Sequence, residues 1–276
     1  MGDKSVFVTG TSSGIGASVV RELVARGFTV FGSVRSPEDE SALRRAGVTP
    51  VRMDVTDGKS IAAARAYVEG HLGARPLAGL VNNAGIARVG PLELVPLDEI
   101  RRVFEVNVFG VLAVTQAFLP LLKASQGRIV NISSISGRDA LPFMGPYASS
   151  KFALEGMSDS LRRELLPYGV DVIVIEPGSY QSRIWDKVAA LDWSTYRASS
   201  YGKLLERFRD LALESGRKAP APDAVARAVT RALTARKPPA RILITPQALV
   251  TRLLFWAPTR LMDRMIVKVL SRSPRG

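Results

Sequence analysis

Short apolar runs alternate with amphipathic stretches along the first two-thirds of the chain. The runs predict strands over residues 5–9, 28–34, 49–52, 78–82, 128–132 and 170–176. Between them, apolar residues recur at helical spacing over 17–26, 38–46, 58–71, 96–123 and 147–168. Gly27 stands where a helix C-cap belongs, and Asp57 where an N-cap does. This rhythm predicts an α/β fold, a doubly wound parallel sheet with helices on both faces. Ligands in such sheets bind beyond the carboxyl ends of the strands. Those ends are therefore where chemistry is sought.

Polar and glycine-rich residues gather there. The first strand runs into Thr9-Gly10-Thr11-Ser12-Ser13-Gly14-Ile15-Gly16. Glycines between strand and helix let backbone approach a pyrophosphate, which sits on the helix's N-terminal amides. The spacing differs from the general G-x-G-x-x-G fingerprint, and a bare glycine turn is the alternative. Arg35 ends the second strand, and no acid appears until Glu38. An acid would bond the ribose hydroxyls of NAD, whereas Arg attracts a 2′-phosphate, so the cofactor reads as NADP(H) rather than Arg35 as mere surface. Asp54 and Val55 follow the third strand, with the carboxylate placed to bond an adenine amino group. Asn83-Ala84-Gly85 follow the fourth, small residues that let the chain pass under a flat ligand. Asn107 sits in the middle of a long helical pattern, where its side chain competes for backbone bonds; it marks a polar role or a kink.

Ser133 and Ser134 follow the fifth strand, and Pro177-Gly178 the sixth. Tyr147 and Lys151 lie four residues apart, on one face of a helix. An ammonium beside a phenol favours the phenolate, so the Tyr147 pKa is expected to fall from about 10 towards neutrality. Such a pair gives and takes the proton of an alcohol or carbonyl oxygen.

Thr9-Gly10-x-x-x-Gly14-Ile15-Gly16, Asn82-Asn83-Ala84-Gly85, Asn107, Ser134, Tyr147-x-x-x-Lys151 and Pro177-Gly178 together resemble the short-chain dehydrogenase/reductase family over residues 5 to about 182. The stretches 147–156 and 175–178 are similar to its 17β-hydroxysteroid and retinol dehydrogenase branch. The resemblance implies a single Rossmann-type domain with seven strands. It implies Tyr147 as general acid/base, Ser134 (rather than Ser133) holding the substrate oxygen, and Lys151 lowering the Tyr147 pKa and bonding the nicotinamide ribose. Asn107 would anchor a water linking Lys151 to solvent. Ser12, Ser13, Gly14, Ile15 and Gly16 would line the phosphates, with Asn83, Ala84 and Gly85 along the cofactor. Ser182 stands where the family usually has a Thr on the carboxamide, and Tyr180 is bulky for its place. Residues 180–220 would cover the site, bringing Trp185, Trp193, Tyr196, Tyr201 and Phe208, while Phe143 and Met144 would face the same space. Such walls favour a bulky hydrophobic substrate, a steroid, retinoid or lipid-like carbonyl, unless the aromatics are ordinary packing.

Composition narrows the classes. With no Cys in the 276 residues, disulfides, thiolate nucleophiles and Cys-ligated zinc are excluded. The single His71 lies in a polar stretch, which leaves a Ser-His-Asp triad unsupported, and no metal is expected. The formal charge is +13, of which residues 181–276 hold +12 (19 Lys and Arg against 7 Asp and Glu). That imbalance fits an anionic neighbour such as a membrane surface or acidic carrier, or simply a solubilising surface; nucleic acid is not expected as a partner. In the extension 246–276, Leu261, Met262, Met265, Ile266, Val269 and Leu270 fall on one side of a helix, and Arg260, Arg264, Lys268 and Arg272 on the other. Packing over the substrate pocket or a partner subunit is the first reading of it, peripheral membrane contact the second. No charged leader precedes the first strand, Val6 breaks a myristoylation signal, and no apolar run of the ~20 residues needed to span a bilayer is read, so a cytoplasmic homo-oligomer, dimer or tetramer, is expected. The expected activity is NADP(H)-dependent interconversion of a ketone or aldehyde with an alcohol. A 3-oxoacyl-thioester reductase is the alternative enzyme. A non-catalytic NADP(H) sensor is the alternative class, against which the complete proton-relay set argues.

Overall fold

A computed structural model describes residues 4–181 and 193–271. Seven strands, β1 (Ser5–Val8), β2 (Thr29–Val34), β3 (Thr49–Arg52), β4 (Leu77–Asn82), β5 (Arg128–Ile132), β6 (Asp171–Pro177) and β7 (Arg241–Ile244), form one parallel sheet in the order β3-β2-β1-β4-β5-β6-β7. The central strands are apolar at successive positions because both faces are covered: Val6, Phe7 and Val8 all lack exposed surface. Val8 pairs with Val81, Val81 with Val130 and Val130 with Ile173, a register that brings the carboxyl ends level.

Helices α1 (Gly14–Ala25), α2 (Pro37–Arg45), α3 (Gly58–Leu72), α4 (Leu97–Phe104), α5 (Gly110–Ser125) and α6 (Gly145–Leu165) fall in the expected order. Beyond β6 come a single helical turn α7 (Ser194–Arg197), α8 (Gly202–Lys218), α9 (Asp223–Thr234), α10 (Ala248–Leu254) and α11 (Thr259–Leu270). Val19 and Leu23 of α1, with Val225 and Val229 of α9, cover one face of the sheet. Val68, Val114, Phe118 and Leu122 of α3 and α5, with Leu165 of α6, cover the other. There Phe118 stacks on Phe7 at 4.5 Å between ring centres. Truncating so enclosed an aromatic costs about 3–5 kcal/mol.

Three boundaries move for identifiable reasons. α1 begins at Gly14, so the glycine motif supplies its first turn. α6 begins at Gly145 with Pro146 in its first turn, and it gives way to a 3-10 turn at Leu166–Tyr168, where Pro167 has no N–H to continue the ladder. The long helix is interrupted by a π-turn over Glu105–Phe109, centred on Asn107. Counted as one segment, Leu97–Ser125 is long and apolar enough to cross a membrane, contrary to the expectation that no such run exists. Its apolar residues Val114, Phe118 and Leu122 pack on the sheet, which accounts for that composition.

Candidate active site

The glycine loop is built for close backbone approach. Gly10 has φ +69°, and a Cβ there would stand 2.8 Å from Ala84 Cα. At Gly16 a Cβ would collide with the Gly10 carbonyl and the Asn83 amide. Asn83 donates from Nδ2 to the carbonyls of Thr9 and Gly10, both at 2.9 Å, while Thr9 Oγ1 accepts from the Asn83 and Ala84 amides at 2.9 and 3.0 Å. The Asn83 side chain thus ties β4 to the loop. The N-terminus of α1 has no side-chain cap and no acid in its first turn. α2 differs, with Ser36 accepting from Asp39 N and three acids in the first turn; α3 is capped by Asp57. An N-terminus left open and positive is suited to phosphate.

Arg35 is exposed at the end of β2, free to meet an anion. Asp54 Oδ1 accepts from the Thr56 amide and hydroxyl at 2.9 and 2.8 Å. The Thr56 amide bond first, and the nearby Arg35 charge after it, hold the Asp54 carboxyl below its usual range. It therefore presents an ionised acceptor beside the loop.

Buried amides set the next strand ends. Asn82 Nδ2 donates to Thr115 Oγ1 and Asn131 Oδ1 at 3.0 and 2.9 Å, and Asn131 Nδ2 donates to Ser158 Oγ at 2.9 Å. This row fixes β4 and β5 against α5 and α6. Asn107, wholly buried, donates to the Ile86 carbonyl and Ser150 Oγ, and accepts from the Ile86 amide. Asn107 lies in the π-turn, and its amide clamps the chain after β4. π-turns are frequent at functional sites.

Ser134 caps the 3-10 turn Ile135–Gly137, with Oγ accepting from Ser136 N at 3.1 Å, and its side chain acts on the Tyr147 phenol. Ser133 is buried, with no hydrogen-bond partner for its Oγ. Lys151 Nζ donates to the Ile132 carbonyl at 2.8 Å and lies 5.7 Å from the centre of the Tyr147 ring. The expected fall in the Tyr147 pKa is not found. Burial pushes the phenol up, and the Ser134 bond opposes this only in part. Burial likewise lowers Lys151 to about 8, against the pull of the Glu155 charge. Desolvation is thus the largest influence on both groups. Behind it, Arg241 bridges Glu155 and Asp159 at 3.0 Å each and Glu176 at 3.5 Å, a buried network that no local spacing announces.

A cavity of about 830 Å³ joins these parts. Gly10, Ser12, Ser13, Gly14, Ile15, Gly16, Arg35, Asp54, Val55, Asn83, Ala84, Gly85, Pro177 and Gly178 line one end. Ser134, Met144, Tyr147, Lys151 and Tyr180 line the middle. Asn107 lies behind this wall. Phe143, expected to face the same space, does not: with φ +66° its ring turns away and packs edge-on against Phe208 and Tyr201. Trp193 and Tyr196 are packing residues too, in a cluster with Val89, Leu205 and Phe208; of the described aromatics in 193–220, Phe208 alone lines the cavity. Ser182, Trp185 and Arg272 lie outside the described residues. The far wall is apolar and was not foreseen residue by residue: Leu211 and Ala212 of α8, Leu254 of α10, and Met262, Met265, Ile266, Val269 and Leu270 of α11. The helical spacing of the α11 residues was the signal, and they line the pocket as the first of its readings expected.

Comparison with known proteins agrees with this geometry. The short chain dehydrogenase family profile matches residues 4–192. An NADPH-dependent 3-dehydrocapnine reductase from Ornithobacterium rhinotracheale is 38% identical over 275 residues, covering 96% of each chain. Human retinol dehydrogenase 5 is 35% identical over 256 residues, covering 86% of this chain and 79% of its own. The crystal structure of a short chain dehydrogenase from Burkholderia cenocepacia in complex with NADP superimposes with a TM-score of 0.75 at 28% identity, covering 95% of this chain and 97% of that one. A glycine loop on an open helix end, a serine after β5 with a tyrosine and lysine on α6, and a family match over two-thirds of the sequence lead to one statement: this chain is a member of the short-chain dehydrogenase family.

Proposed function

We propose that the protein is an NADP(H)-dependent oxidoreductase interconverting a ketone or aldehyde with an alcohol on a bulky, lipid-like substrate. The observation that carries this is the Ser134–Tyr147 pair and Lys151 opening onto a cavity whose far wall is apolar. The residues fit the cofactor: the Gly10 and Gly16 clearances and the open α1 terminus suit its pyrophosphate, Arg35 its 2′-phosphate, and Asp54 its adenine. Gly85 would leave the nicotinamide side uncrowded, with Pro177 and Gly178 lining the same cavity. The bound cofactor supplies or accepts the hydride.

The chain's own groups handle the oxygen. Ser134 Oγ has one lone pair taken by the Ser136 amide, which orients its hydroxyl towards Tyr147 and the substrate oxygen. In reduction, the Tyr147 hydroxyl gives its proton to the carbonyl oxygen as hydride reaches the carbon, leaving a phenolate that Lys151 stabilises and reprotonates. Burial raises the phenol, so it holds its proton until a carbonyl oxygen is there to take it. Asn107 keeps Ser150 and the chain at Ile86 in place beside Lys151. Leu211 and Ala212 of α8, with α11, exclude water and hold the apolar part of the substrate. The NADPH-dependent reductase among the relatives and the retinol dehydrogenase support cofactor and substrate class respectively. A cytoplasmic homo-oligomer, dimer or tetramer, remains part of this reading, open to sedimentation.

The test is a panel of hydrophobic ketones, aldehydes and acyl thioesters assayed with NADPH and with NADH. Turnover of a long-chain ketone or aldehyde with NADPH is expected. Turnover of acyl thioesters alone would move the assignment to a 3-oxoacyl-thioester reductase, and NADPH binding without any turnover to a sensor.

A further inference from the structure

Helices α10 and α11 combine features that a helix serving only as a roof does not need. α11 carries three stripes. Met262, Ile266 and Leu270, four residues apart, are partly buried and face the cavity. Leu261, Met265 and Val269 form the neighbouring stripe, apolar and about half exposed, with Met265 and Val269 also touching the cavity. Arg260, Arg264 and Lys268 form the third, on the flank beyond it. On α10, Leu249 and Leu253 lie one turn apart, with Trp256 a turn further on; Leu249 is 73% exposed and Trp256 85% exposed. Arg252 stands beside them. The pair is nevertheless anchored: the Arg138 guanidinium stacks on Phe255 at 4.8 Å while also pairing with buried Glu176 at 3.4 Å.

We propose that α10 and α11 dock on an anionic lipid bilayer, seating the mouth of the cavity against it. Exposed Leu, Val, Met and Trp beside a row of cations form the interfacial amphipathic pattern, with apolar side chains below the headgroups and cations among lipid phosphates. Charge selects this occupant. Residues 248–270 hold Arg252, Arg260, Arg264 and Lys268 against the single acid Asp263. A second copy of the chain, paired through this face by a two-fold axis, would set those cations against themselves. Lipid headgroups neutralise them. That a lipid-like substrate enters from the bilayer rests on the proposed function; the docking itself does not.

The full-length protein would be floated with vesicles of phosphatidylcholine alone and with phosphatidylglycerol added. Binding to the mixed vesicles is expected, weaker by about tenfold on phosphatidylcholine alone and again in high salt, where screening shortens the reach of the cations. The exposed double variant Leu253→Glu/Trp256→Glu should abolish flotation while leaving the melting temperature and NADPH affinity unchanged. Repeating the measurement on Tyr147→Phe separates docking from catalysis, because an inactive enzyme should float as well as the wild type. The proposal is overturned if the protein ignores anionic vesicles, if wild type and double variant float alike, or if the double variant only converts a dimer to monomers.

Discussion

The two ends of the cavity are made by different forces. At the cofactor end, Thr9, Asn83, Asn82, Asn131 and Asn107 are joined by hydrogen bonds of fixed direction across β1, β4, β5 and the π-turn. At the roof, every residue of α10 and α11 is at least partly exposed, and their cavity side presents apolar side chains. Directional bonds specify one ligand geometry, whereas apolar burial scales with area and tolerates a change of shape. One scaffold can therefore keep its cofactor while its substrate varies.

The most severe way to break the cofactor end is at its proton donor. Tyr147→Phe should lower kcat by about a thousandfold, the middle of the range for losing a positioned acid, while NADPH titration shows near-unchanged affinity. Next is the pH dependence of stability without cofactor. The folded chain releases the Lys151 proton near pH 8, whereas the unfolded chain holds it to about 10.5. Between those values the unfolded state binds more protons, so this group's contribution to stability rises with pH; below 8 its burial penalty is fully present. Urea unfolding of wild type and Lys151→Met should therefore differ by an amount that changes by about 3 kcal/mol between pH 7 and 10.5, in favour of the wild type as pH rises. Arg35→Asp should shift the NADPH-to-NADH preference by about a hundredfold, read as a ratio of kcat/KM, through loss of a charge-assisted phosphate bond. The smallest effect belongs to the roof: Ile266→Ala should raise KM for a long-chain substrate about tenfold with little change in kcat or in NADPH affinity. A large fall in NADPH affinity there would show the two ends to be coupled.

The same contrast decides what could be read in advance. The strands and their ends, the glycine loop, Asp57 as a cap and the residues from Gly10 to Gly178 were legible because turn chemistry and periodicity are local. The Asn82–Asn131–Ser158 row was not, since its members lie 49 and 27 residues apart and each looks unremarkable alone. Phe143 was misplaced because its ring packs edge-on against Tyr201 and Phe208, far along the chain. The Tyr147 shift was misjudged because spacing reveals the nearby ammonium but not the depth of burial that outweighs it. α8, α9 and β7 were not located, and the roof they lead to packs against residues more than a hundred positions away, as the Arg138 stack on Phe255 shows.

The uncapped start of α1 has a consequence at the bench. With no side chain bonded to its first amides and no acid in its first turn, that helix end holds a standing attraction for small oxyanions, with Arg35 on the same cavity. Phosphate or sulfate in a buffer should occupy it weakly and compete with the dinucleotide, so dissociation constants measured in phosphate will read high beside those measured in an amine buffer of equal ionic strength.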